Sequence, residues 1–265
     1  MIMVSIREIP VEKHPWPPFL PANARILMLG SFPPKPERWC MDFFYPNWLN
    51  DMWRIMGEIF YADKDYFTEL PDYKRFDRRR IEIFLREKGI ALYDTATEVR
   101  RLKDNASDKF LEVVRPTDWR DLLRRLPQCV AVVATGQKAT DTFCLSAGID
   151  EPRIGYCTPF DFEGREVRFY RMPSSSRAYP LALSRKAEVY ASMFGQDGFF
   201  FVDGAWGVSP GACLDGMRPC RARGLACRLR QSCSFARAAL MRAPAEPACV
   251  AAVCPASPRI RSLPA

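Results

Sequence analysis

The 265-residue sequence contains one histidine, His14, and no apolar run near the roughly 20 residues that carry a helix across a bilayer. Its N-terminus lacks the basic start, apolar stretch and small-residue cleavage site of a secretion signal. The expectation is a soluble, cytoplasmic monomer with no membrane partner. The scarcity of histidine also narrows the chemistry. A serine hydrolase built on Ser174 or Ser175 has only His14 to serve as base, and no Gly-x-Ser-x-Gly elbow is present. Up to Gly195 there is no Cys-x-x-Cys pair either, for Cys40, Cys129, Cys144 and Cys157 stand 89, 15 and 13 residues apart. No metal and no cofactor is expected. Without a secretion signal, these four are expected to be buried thiols rather than disulfides.

What is present is ordinary globular material: 48% hydrophobic and 26% charged residues, with 39 Lys+Arg against 31 Asp+Glu for a formal charge of +8. That composition excludes disorder over the whole length. The average hides a seam. From Gln196 to Ala265 there are nine Arg, no Lys, four acidic residues and six of the ten cysteines, so this stretch holds +5 of the charge and leaves +3 for residues 1–195. After Phe199-Phe200-Phe201-Val202 it follows neither a helical nor a strand period, and Cys213, Cys220, Cys227 and Cys233 are spaced unlike zinc ligands. Three parts are expected: a proline-rich arm over 1–22, one domain over 23–195, and an Arg/Ala/Cys/Pro-rich tail over 196–265. The tail is expected to be disordered or not native, because its bias is that of a GC-rich stretch translated in an unselected frame.

Within the domain, short apolar runs alternate with helical spacings. Arg25–Gly30, Ile90–Asp94, Cys129–Ala134 and Glu166–Met172 predict strands, while Trp48–Phe60, Lys74–Lys88, Asp118–Leu126, Gly136–Ala147 and Leu183–Phe194 predict helices. That order predicts a three-layer α/β/α sandwich with a central, largely parallel four-stranded sheet. Ligands of such sheets lie outside the carboxyl ends of the strands, so Gly30–Pro34, Asp94–Asp108, Thr135–Lys138 and Pro173–Tyr179 are expected to share one rim.

On that rim, Gly30-Ser31-Phe32-Pro33-Pro34 offers a tight turn, a hydroxyl and an aromatic ring. The segment Phe43-Phe44-Tyr45-Pro46-Asn47-Trp48-Leu49-Asn50-Asp51-Met52-Trp53 mixes rings with side-chain amides. Rings can stack on the face of a planar heterocycle while amides pair with its edge, although aromatic-rich segments also build cores. Thr135-Gly136-Gln137-Lys138, at a strand–helix junction, can give backbone amides and a lysine to a phosphate. Arg78-Arg79-Arg80 reads as a solvated face.

Gly30–Pro34, then Phe43-Phe44-Tyr45 with Asn50-Asp51-Met52-Trp53-Arg54, then Pro173-Ser174-Ser175-Ser176 before a terminal helix resemble the uracil-DNA glycosylase superfamily in order and spacing. The likeness is closest to its hypoxanthine-DNA (deoxyinosine) and mismatch-specific branch. It spans about Pro10 to Gly195, includes His14-Pro15 and the Asn105-Ala106-Ser107-Asp108 loop, and leaves the tail without counterpart. The resemblance implies that a base is flipped from DNA and its bond to deoxyribose hydrolysed without metal or cofactor. Uracil or hypoxanthine is the implied base, mismatched pairs are favoured, and the partner is DNA carrying a damaged or mismatched base.

The resemblance also assigns roles. The third position of the first motif, Asp or Asn in many members, is Phe32 here, so the polar task passes to Asn50, which would orient the water; Asn50 also suits a helix N-cap. Ser31 would stand near the water or the base, and Phe32, Phe44 and Tyr45 would form the base pocket. Ser174, Ser175, Ser176 and Arg177 would press on phosphates, beside the Lys138 that the strand–helix junction itself offers. Asn47, Trp48 and Leu49 depart from the branch's pattern, and Pro173–Tyr179 holds none of the histidine that some branches place there. The alternative is a non-catalytic nucleic-acid or nucleotide-binding module of the same fold.

Overall fold

The computed structural model describes residues 9–69, 74–103 and 108–196. The elements in chain order are β1 (Val11–Lys13), β2 (Ile26–Gly30), α1 (Met52–Tyr61), α2 (Arg78–Lys88), β3 (Ile90–Asp94), β4 (Ala96–Arg101) and β5 (Leu111–Pro116), followed by α3 (Trp119–Arg124), β6 (Ala131–Thr135), α4 (Gln137–Ala147), β7 (Cys157–Phe162), β8 (Arg165–Met172) and α5 (Leu183–Gln196). Gln196 apart, the tail expected over 196–265 lies outside the described residues, as do residues 1–8 of the arm and Asn105-Ala106-Ser107.

Every residue of β2, β3 and β6 is buried, which is why these strands read as unbroken apolar runs rather than as alternation. They lie in a sheet of order β3-β2-β6-β8-β7, in which the first four strands are parallel. The sheet therefore has five strands, one more than expected. The fifth, β7, returns antiparallel to β8 through a two-residue turn at Glu163-Gly164, whose φ values of 53° and 82° are those a tight hairpin needs. Pro159 and the charged Asp161 mask β7 in the sequence, and an edge position is where a strand tolerates proline.

Passing from β2 to β3 moves one way across the sheet and passing from β3 to β6 moves the other, so right-handed connections place helices on both faces. Phe60 of α1 meets Phe84 of α2 and Phe194 of α5, with ring centroids 5.0 and 5.2 Å apart. Phe143 of α4 meets Trp119 of α3 at 5.2 Å and stacks on Phe169 of β8 at 4.5 Å. The α/β/α sandwich follows from these layers. The start of α2 is set by a cap: Asp77 accepts the Arg80 N–H at 2.9 Å, so the helix begins at Arg78 rather than at Lys74, whose φ is 47°.

A second sheet, antiparallel in the order β1-β4-β5, was not foreseen. It occupies part of the segment expected to be a rim loop, and it takes in the start of the proline-rich arm, Val11–Lys13 pairing with Glu98–Arg100; farther along the arm, Phe19 bridges Leu92 of β3 in the five-stranded sheet. Three-residue strands and charged ones are too short or too polar to show a period. Cys40, Cys129, Cys144 and Cys157 are free thiols. Among the described residues no helix is long and apolar enough to cross a membrane, and no group of three or more His, Cys, Asp or Glu could hold a metal ion.

Candidate active site

A cavity of about 940 Å³ opens where β2, β3, β6 and β8 end, and all four of the expected rim segments reach it. The strands point their carboxyl ends the same way because they are parallel. The loops that follow them must then converge.

Two of those loops are fastened together. The Asp51 N–H donates to the Ser175 carbonyl at 2.8 Å and the Arg177 N–H to the Leu49 carbonyl at 3.3 Å, so the start of α1 and the Pro173–Tyr179 turn form one strip. Asp51 holds it from below. Its buried carboxylate accepts from Arg177 Nε at 2.9 Å and from Lys186 Nζ at 3.1 Å, and Lys186 is only 1% exposed. Arg177, expected on phosphate, thus commits its Nε to the fold. Asn50 lines the cavity, and its Oδ1 accepts the Met52 N–H at 2.9 Å. The acceptor end of the amide is taken by the helix start, and Nδ2, which makes no hydrogen bond among the described residues, remains to donate.

Ser31, Phe32 and Tyr45 also line the cavity. The Ser31 hydroxyl donates to Asp108 Oδ2 at 2.9 Å. Asp108 is exposed as a residue, yet the protein around its carboxyl raises its pKa above the ordinary value; Asp94 adds to the rise, while the Ser31 hydrogen bond, Arg101 and Lys138 oppose it. Phe32 is 9% exposed and caps a small second core of Ala96, Val99 and Leu111. Tyr45 sits at φ 50° with its hydroxyl 3.0 Å from Thr135 Oγ1, and burial, reinforced by Asp94, pushes its pKa up.

Phe44 departs from expectation. It does not line the cavity but lies 2% exposed in the main core, against His14, Trp16, Phe43 and Tyr93. The alternation of a bent chain turns Tyr45 to the cavity and its neighbour inward. Ser174, Ser175 and Ser176 all reach the cavity, with Ser175 buried. The Ser174 and Ser176 hydroxyl oxygens each accept a backbone N–H two residues on, at 3.2 Å, which folds the turn and leaves both O–H groups to donate. Lys138, half-buried at the start of α4, completes this side.

The sequence reading missed one pair. Asp94, the last residue of β3, lines the cavity, and its Oδ2 lies 3.0 Å from Nε2 of His14, which belongs to the proline-rich arm expected over 1–22. An acid ending a buried strand was the available signal for Asp94; nothing in the sequence joined it to a residue 80 positions away.

No protein-family model and no curated protein matches the chain. Among solved structures it is similar to the solution structure of a candidate uracil DNA glycosylase from Methanosarcina acetivorans, at 19% identity and a TM-score of 0.47, covering 69% of this chain and 98% of that one.

Proposed function

We propose that the protein is a DNA glycosylase that flips a deaminated base, uracil or hypoxanthine, into the cavity and hydrolyses its bond to deoxyribose, with mismatched pairs favoured. The observation that carries the reading is convergence: the Phe32 ring, the Asn50 amide and the Ser174–Ser176 turn meet at one cavity on the carboxyl rim of a parallel sheet. These are the segments on which the resemblance to the uracil-DNA glycosylase superfamily stands.

The chemistry is consistent with what the cavity offers. At about 940 Å³ it is large enough for a nucleotide rather than a lone water. Breaking a glycosidic bond builds positive charge on the sugar and negative charge on the departing base, so the site must donate hydrogen bonds to the base and supply a positioned water. Asn50 Nδ2 is such a donor. The hydroxyls of Ser174 and Ser176, with Lys138, suit the flanking phosphates. Serine hydrolysis finds no support, since both ring nitrogens of His14 are taken, Nε2 by Asp94 and Nδ1 by the Trp16 backbone, and neither faces Ser174 or Ser175.

The test incubates the protein with labelled duplexes carrying uracil, hypoxanthine or thymine opposite each normal base, then cleaves abasic sites with alkali. Scission of the uracil or hypoxanthine strands is expected. Binding without scission of any duplex would instead establish a non-catalytic module. Asn50→Ala should bind the scissile duplex as the parent does while losing most of its base release.

A further inference from the structure

We propose that Asp94 is the general base of this site and that His14 is the positioning residue that holds it, an inference that rests on the glycosylase reading. The site needs an acceptor for a water proton. Phe32 has none, and Asn50, expected to orient the water rather than to deprotonate it, offers a neutral amide oxygen that already accepts the Met52 N–H. Asp94 supplies it from the neighbouring strand, one residue across the sheet from the first motif, since Gly30 and Asp94 are register partners.

Its carboxylate is fixed at one end and open at the other. Oδ2 accepts from His14 Nε2 at 3.0 Å, and the imidazole is walled in, its side chain 2% exposed and its ring 4.7 Å from that of Tyr93 and 5.5 Å from that of Phe32. Nδ1 lies 2.8 Å from the Trp16 carbonyl oxygen and 3.2 Å from the Trp16 nitrogen. A neutral ring can therefore accept the Trp16 N–H and a protonated one can donate to the carbonyl. In both states Nε2–H donates to Asp94, so the carboxylate keeps one orientation. Oδ1 makes no hydrogen bond among the described residues. It occupies the space a side chain at Gly30 would fill: a Cβ there would stand 2.3 Å from it. The glycine of the first motif is what lets the carboxylate lie against the turn that leads to Ser31 and Phe32. Asp108, the other carboxylate beside the first motif, is exposed and occupied by the Ser31 hydroxyl.

In the step, Oδ1 takes a proton from water as the water oxygen bonds to the sugar C1′. The C1′–N bond breaks and its electron pair leaves on the base nitrogen, which is then protonated from solvent. Asp94 returns its proton to bulk water. Before that transfer its negative charge opposes the positive charge growing on the sugar.

The experiment measures single-turnover base release from uracil and hypoxanthine duplexes by the full chain and by Asp94→Asn, His14→Asn, the double variant and Asp108→Asn. Binding is read on a duplex carrying a tetrahydrofuran abasic site, and folding by thermal melting. Asp94→Asn should slow release about 100-fold or more with binding and melting retained. His14→Asn should slow it less, and the double variant no further than Asp94→Asn alone, because His14 acts through Asp94. Asp108→Asn should slow release less than Asp94→Asn does, because it touches the site through the Ser31 hydroxyl rather than through the water. Should Asp94→Asn melt early, Asp94→Ala with added formate replaces it, and restored release supports the assignment while its absence in a folded variant counts against it. Parent-like release by Asp94→Asn overturns the proposal, as does a parent-like rate on a changed choice of base, which would make Asp94 a base reader. Parent protein that releases no base from any duplex removes the glycosylase reading itself, and the role of Asp94 with it.

Discussion

Gly30 shows how one missing side chain shapes this site. It was legible in the sequence as the end of a strand and the start of a turn, but its use lies in what it leaves free, namely the space taken by Asp94 Oδ1 at 2.3 Å from where a Cβ would be. Gly30→Ala should push the carboxylate off His14, since a Cβ 2.3 Å from Oδ1 leaves the short side chain no room to keep Oδ2 at the imidazole. The expected result is a cost of about 1–3 kcal/mol in urea unfolding, together with a loss of base release comparable to that of Asp94→Asn. Asn50 and Ser31 were legible because they belong to compact motifs. His14 and Asp94 were not, being 80 residues apart and joined only by the tertiary fold. Phe44 was misplaced because adjacent aromatics carry no sign of which one turns inward.

Among the elements, the strip made by the start of α1 and the Pro173–Tyr179 turn depends on a buried ion pair from a third element, α5. Lys186 contributes nothing to any motif, yet its ammonium reaches both the Asp51 carboxylate at 3.1 Å and the Ser176 carbonyl at 2.8 Å. Lys186→Met keeps the volume and removes the charge, leaving Asp51 buried with Arg177 as its remaining ionic partner. A loss of about 3 kcal/mol in urea unfolding is expected, measurable as a lower midpoint with an unchanged slope. The strands β2, β3 and β6 were readable because burial on both faces makes them wholly apolar. β1, β4, β5 and β7 were not, because short, charged or proline-bearing strands draw their stability from neighbours rather than from their own composition.

At the scale of the molecule, residues 1–195 carry only +3 of the +8 formal charge, so on the proposed glycosylase reading attraction to DNA would come from a few cations near the cavity rather than from a general field. Of the two cations proposed to meet phosphate, Arg177 is partly neutralised by Asp51, which makes Lys138, at the start of α4, the cleaner candidate. Lys138→Ala should weaken binding to all duplexes alike and reduce the slope of log affinity against log salt by about 1, as measured by fluorescence anisotropy across a salt series. The order of apolar runs and helical spacings was enough to specify an α/β/α sandwich and to name the rim where a ligand would lie, because burial patterns are local and parallel strands share one direction. Which side chains meet on that rim was decided only by the folded chain. Hydrogen bonds and ion pairs such as His14–Asp94 and Asp51–Lys186 depend on distances of about 3 Å between residues far apart in sequence, and no local pattern encodes them.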